Sequence, residues 1–92
     1  MNKKSRTKNE LRSLMNVGPA TQKDLTLLGI TTIDQLAQAN PDELYERLQQ
    51  ITKTKHDPCV WDVFAAIIHE ANMGEKIPWW HWTSIRKARN YK

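Results

Sequence analysis

Across residues 60–68 every side chain but one is apolar: Val60, Trp61, Val63, Phe64, Ala65, Ala66, Ile67 and Ile68, with Asp62 the exception. A helix that is apolar on nearly every side is stable only when other elements surround it. Its ends are marked locally. Asp57 is a good N-cap, Pro58 suits the first turn, and Asn72 or Gly74 can close the far end. The pattern predicts a central core helix over residues 58–72, with the remaining chain wrapped around it. The longest unbroken apolar run is residues 63–68, too short for a membrane span, which needs about 20 residues.

The flanking segments also read as helices. Residues 9–15 place Leu11, Leu14 and Met15 on one face, and the tight connection Asn16-Val17-Gly18-Pro19 follows. A second helix runs from Pro19 with Leu25 and Leu28 inward, and Gly29 sits where a C′ glycine belongs, next to Ile30. Thr32-Ile33-Asp34-Gln35 reads as a capping box, with Ile33 and Leu36 apolar in a helix that ends before Pro41. Asn40-Pro41-Asp42-Glu43 opens another helix, whose apolar stripe is Leu44, Leu48 and Ile51. No segment alternates as a strand would, so the expectation is an all-α fold of about five helices.

Size and charge bound the rest. At 92 residues one domain fits, with residues 9–82 as its body and little room for a deep cleft. Leu, Ile, Val and Phe make up 19 of 92 residues, close to the floor of about 20% for folded chains, and the four Trp lift it. Residues 1–12 carry five Lys/Arg against one Glu, residues 13–52 two against five acids, and residues 53–92 seven against four. Two basic ends therefore flank an acidic middle. Residues 1–8 read as a disordered basic arm and 83–92 as a basic C-terminal tail. Such ends fit a nucleic-acid partner, or merely solubilising tails. The opening MNKKSRTKNE lacks the apolar stretch of a secretory signal, and a lone Cys59 fits a reducing, cytoplasmic setting.

The turn between the first two helices carries the functional signal. Leu14-Met15-Asn16-Val17-Gly18-Pro19-Ala20-Thr21 followed by Leu25 resembles a helix-hairpin-helix element. There an apolar residue (Val17) plugs between two helices and Gly18 lets the backbone approach a partner. Amides at the positive end of the second helix then face a phosphate. Contact of that kind reads the backbone and not the bases. The candidate nucleic-acid-binding residues are Asn16, Val17, Gly18, Ala20 and Lys23 at the hairpin, with Arg86, Lys87 and Arg89 in the tail. Asn16 stands where the motif has its first glycine, Gln22 where a small residue is usual, and Lys23 is the hairpin's only nearby cation. An αα-hairpin with a structural or protein-docking role is the competing reading.

Taken together, LMNVGPATQKDLTLLGI, TIDQLAQANPDELYERL, HDPCVWDVFAAIIHEA and PWWHW resemble the bacterial pathogenicity locus family of small helix-hairpin-helix proteins, some of which are labelled mitomycin resistance proteins. The resemblance spans residues 11–82. It implies a compact helical domain with tandem helix-hairpin-helix-like halves, the second degenerate around Leu28-Gly29-Ile30-Thr31, and no established activity.

Two further constellations invite a functional reading. Cys59 in the first turn of the core helix, with His56 nearby, could be a nucleophile. Packing of the thiol and capping by Asp57 explain the same residues. His56, Cys59, His69 and His81 match no trusted zinc spacing, so no metal, cofactor or catalytic residue is assigned. Trp79, Trp80 and Trp82 beside a basic tail suit single-stranded nucleic acid. Pro78 instead favours an extended segment docked on the core, with two of the three indoles packed. The expected function is a non-catalytic module that binds nucleic acid without sequence specificity through the hairpin amides and basic ends, with the DNA phosphate backbone as the candidate partner. The alternative is a protein–protein adaptor using the acidic middle or the Trp-rich tail.

Overall fold

The computed structural model describes Leu11 and residues 13–88; the basic arm, Arg89, and residues 9, 10 and 12 of the helix expected over 9–15 lie outside them, and residues 13–15 at the end of that expected helix form a turn instead. Five α-helices follow in chain order: α1 Pro19–Leu27, α2 Ile33–Ala37, α3 Pro41–Thr52, α4 Cys59–Met73 and α5 Trp80–Ala88. No strand occurs among the described residues. The fold is all-α.

Local chemistry sets most boundaries. Beyond α1, Ile30 N–H donates to the Leu25 carbonyl at 2.9 Å and Gly29 N–H to that of Thr26 at 3.0 Å. These are the paired bonds of a Schellman ending, and Gly29 takes the left-handed φ of +79° that the motif requires. The capping box of α2 is complete: Thr32 Oγ1 accepts Gln35 N–H at 3.1 Å, and Gln35 Oε1 accepts Thr32 N–H at 3.2 Å. At α3, Asn40 Oδ1 accepts the amides of Asp42 and Glu43 at 2.8 and 3.3 Å. The core helix starts one residue later than expected and ends one later. Pro58, not Asp57, takes the N-cap position and offers no side-chain cap, while Asp57 just outside accepts Cys59 N–H on its Oδ1 at 3.0 Å.

α4 is the hub. It packs on α2, α3 and α5, while α1 leans on α3. Phe64 and Ile67 of α4 are buried against Leu25, Leu36, Leu44 and Leu48. Two residues expected inside are not: Met15 is 48% exposed and Ile51 44%. Ile51 lies in the last turn of α3, and Tyr45 is buried on that helix instead, its hydroxyl donating to the His56 carbonyl. Met15 contributes its amide rather than its side chain, donating to Glu70 Oε1 at 2.9 Å.

The C-terminal segment departs most from expectation. An extended strip after Pro78 was predicted; a helix forms. Pro78 and Trp79 carbonyls accept the amides of His81 and Trp82 at 3.1 and 2.9 Å, and the turn continues to Ala88. The described part of the expected 83–92 tail is thus folded onto the domain. The anchor is Asp62, the single polar residue of the apolar run. It is fully buried, and α5 reaches it from outside.

Candidate nucleic-acid interface

The hairpin is built by elements far apart in sequence. Leu14 is buried and its carbonyl accepts Val17 N–H at 3.2 Å, which tightens the turn into α1. Val17 is half-buried against the core, as the plug position predicts. Asn16 faces the other way. Its Nδ2 donates to the Ile77 carbonyl at 3.1 Å and its Oδ1 accepts Trp79 N–H at 3.3 Å. This side chain ties the hairpin to the start of α5, so it is occupied within the protein.

Gly18 is the N-cap of α1, with φ −100° and ψ −174°. That is ordinary extended backbone, which any residue can adopt. A Cβ here would meet nothing within 4 Å. What distinguishes Gly18 is the missing side chain: nothing caps the start of α1. Pro19 has no N–H, and the first intrahelical bond runs from Gln22 to the Gly18 carbonyl at 2.9 Å. The amides of Ala20 and Thr21 are therefore the open donors of the first turn. Gly18, Ala20 and Lys23 are exposed, whereas Asp24 beside Lys23 is half-buried. A hollow of about 250 Å³ borders Val17, Gly18, Pro19 and Gln22. A second, of about 470 Å³, lies between Leu11, Pro19, Lys23 and Ile30.

The candidate residues of the C-terminal end separate. Arg86 Nε and Nη2 donate to Asp62 Oδ1 and Oδ2 at 2.8 and 3.1 Å, and Thr83 Oγ1 donates to Oδ2 at 2.6 Å. The Arg86 side chain is only 13% exposed. Its hydrogen bonds to Asp62 hold the guanidinium's pKa above its ordinary value. It serves the interior, not the surface. Lys87 is exposed. The sequence showed that Asp62 was out of place in an apolar run, but not which cation would answer it from 24 residues away.

Cys59 is half-buried, and burial first and a hydrogen bond to Asp57 second push its thiol above the ordinary range. That is the opposite of an activated nucleophile. His56 Nε2 lies 2.9 Å from Thr52 Oγ1, His69 Nε2 lies 2.7 Å from Glu75 Oε1, and His81 sets its ring edge-on to Trp82. Among the described residues no three His, Cys, Asp or Glu side chains converge as they would about a metal ion. No described helix is long and apolar enough to cross a membrane. Of the indoles, Trp82 packs on the core, Trp79 is half-buried and Trp80 is 61% exposed.

A small all-helical domain results, with an uncapped helix start at a tight turn and a C-terminal helix latched to its core. A family model described as "Pathogenicity locus" (Cdd1) matches residues 4–88, and the chain belongs to that family. It is 37% identical over 78 residues to "Mitomycin resistance protein McrB" of Streptomyces lavendulae, covering 85% of this chain and 74% of that protein. No solved structure matches.

Proposed function

We propose that this chain is a non-catalytic helix-hairpin-helix module of a reducing, cytoplasmic setting that binds nucleic acid without sequence specificity. The uncapped start of α1 carries the reading: it leaves the Ala20 and Thr21 amides at the positive end of a helix, rimmed by exposed Gly18 and Lys23. A phosphate is the natural acceptor for such a group. The sequence also carries five Lys/Arg against one Glu over residues 1–12, charge of the sign a phosphate calls for. Arg86 drops out of the contact set because Asp62 holds it, leaving Lys87 at the other end.

The test is a titration of the full chain with a DNA duplex of about 20 base pairs at about 50 and 200 mM salt. Each neutralised phosphate contributes about −0.9 to the slope of log affinity against log salt, so a small contact set gives a slope of order two to four. Lys23→Glu should weaken binding and flatten that slope, with the melting temperature unchanged. Absence of any affinity at the lower salt overturns the reading. A second reading, docking of a basic protein, draws on Asp34, Glu43 and Glu46, all exposed on α2 and α3. Charge reversal there would then remove a partner while leaving DNA affinity untouched.

A further inference from the structure

We infer that the outward face of α5 is a stacking surface for single-stranded nucleic acid, with Trp80 as the side chain that receives a base. The inference rests on the nucleic-acid reading and narrows it to one form of the polymer. The inward face of α5 is fully used: Trp82 packs on the core, and Thr83 and Arg86 bond to Asp62. The opposite face carries Trp80, Ser84 and Lys87 at i, i+4 and i+7, all exposed. The helical rise puts Lys87 about 10 Å along the axis from Trp80.

Trp80 is braced on one side. Trp79 meets Trp80 edge-on at 5.8 Å between ring centroids, and the Trp79 amide is held by Asn16 of the hairpin. The same contact sets Trp80 next to the residues that lead into α1. A strand whose phosphate lies at the start of α1 thus has an indole close by for one of its bases.

Charge and composition choose the partner. Residues 76–92 contain no Asp or Glu, and five Lys/Arg: Lys76, Arg86, Lys87, Arg89 and Lys92. Lys76 is paired with Glu70 and Arg86 with Asp62, so Lys87 is the exposed cation on the described helix face. A protein groove would call for an apolar patch around the indole. Here the neighbours of Trp80 along the stripe are a hydroxyl and an ammonium. One π-face beside a hydrogen-bond donor and a cation is the chemistry of base stacking with phosphate pairing. A duplex keeps its bases stacked inside and has none to offer.

Trp80→Ala and Trp80→Phe in the full chain test this against an oligothymidylate of about 20 nucleotides and a duplex of similar length. The parent should prefer the single strand. Loss of one stacked base is worth about 1–3 kcal/mol, so Trp80→Ala should weaken oligothymidylate binding roughly five- to 150-fold, and Trp80→Phe should recover most of it. Duplex affinity and melting temperature should not move. Unchanged oligothymidylate affinity in Trp80→Ala, with duplex binding intact, overturns the stacking role alone. A parent that binds neither polymer overturns the nucleic-acid reading as well and leaves Trp80 to a protein partner.

Discussion

Arg86 grips both carboxylate oxygens of Asp62, at 2.8 and 3.1 Å, and Asp62 has no exposed surface at all. A bidentate guanidinium is the best available answer to a carboxylate inside an apolar helix. Thr83 supplies a third hydrogen bond, so α5 is attached to α4 through a polar point within an otherwise hydrophobic contact. At the far end of α4, Glu70 does the same for the loop before α5 and for the hairpin. Its two oxygens accept Lys76 Nζ at 2.7 Å and Met15 N–H at 2.9 Å.

Removing one partner should therefore cost more than removing both. Arg86→Ala leaves a buried carboxylate without its counter-charge, and about 3–5 kcal/mol is the usual penalty for a broken buried pair. The partial exposure of Arg86 places the expected loss toward the lower end. Asp62→Ala/Arg86→Ala should melt higher than Arg86→Ala alone. Equal melting temperatures for the parent and Arg86→Ala would show that α5 docks without this pair.

Phe64 is the largest of the fully buried side chains and belongs to one core cluster with Leu25 of α1, Leu36 of α2, and Leu44 and Leu48 of α3. Phe64→Ala should destabilise by about 3–5 kcal/mol, a large share of the stability of a domain this small. Chemical denaturation followed by circular dichroism measures it. A loss below about 1 kcal/mol would mean the helix is free to collapse onto the cavity.

Gly18 offers a test in which stability and binding move in opposite directions. Its extended backbone suits an N-cap serine, and the added Cβ meets open space. Gly18→Ser should supply the missing cap, raising stability by a few tenths of a kcal/mol over glycine. The same hydroxyl would occupy an amide offered to phosphate, so duplex affinity should fall. A variant that is more stable yet binds DNA as well as the parent would remove the α1 amides from the interface.

Cys59 should label slowly at neutral pH. Burial and the Asp57 carboxylate both disfavour its thiolate, so the labelling rate should rise with a midpoint above the ordinary value of about 8.5. Asp57→Asn keeps an accepting oxygen while removing the negative charge, and should bring that midpoint down. The Asp57 carboxyl itself is held below its ordinary range, chiefly by the Cys59 amide. Its contribution to folding is thus present above the unfolded carboxylate pKa and fades as pH falls through the lower folded one. A midpoint below the ordinary thiol value would contradict this electrostatic account.

Much of this architecture is legible in short stretches of chain. The Thr32–Gln35 box, the Asn40 cap and the Gly29 ending involve partners no more than five residues apart, and each forms as its residues dictate. The apolar run of α4 likewise announces a surrounded helix, and it is one. The turn into α1 is local in the same way: Val17, Gly18 and Pro19 act through the backbone next to them.

What the short stretches could not contain are partners separated by long loops. Asn16 meets Trp79 across 63 positions, Met15 meets Glu70 across 55, and Arg86 meets Asp62 across 24. Before folding, Arg86 is one basic residue among several near the end of the chain. Only the docking of α5 on α4 turns it inward, because a carboxylate with no exposed surface must find a cation or not be buried at all. Local hydrogen bonding determined where the helices begin and end. The need to neutralise charge within a closed core decided which cation was drawn inside, Arg86, and left its neighbour Lys87 exposed.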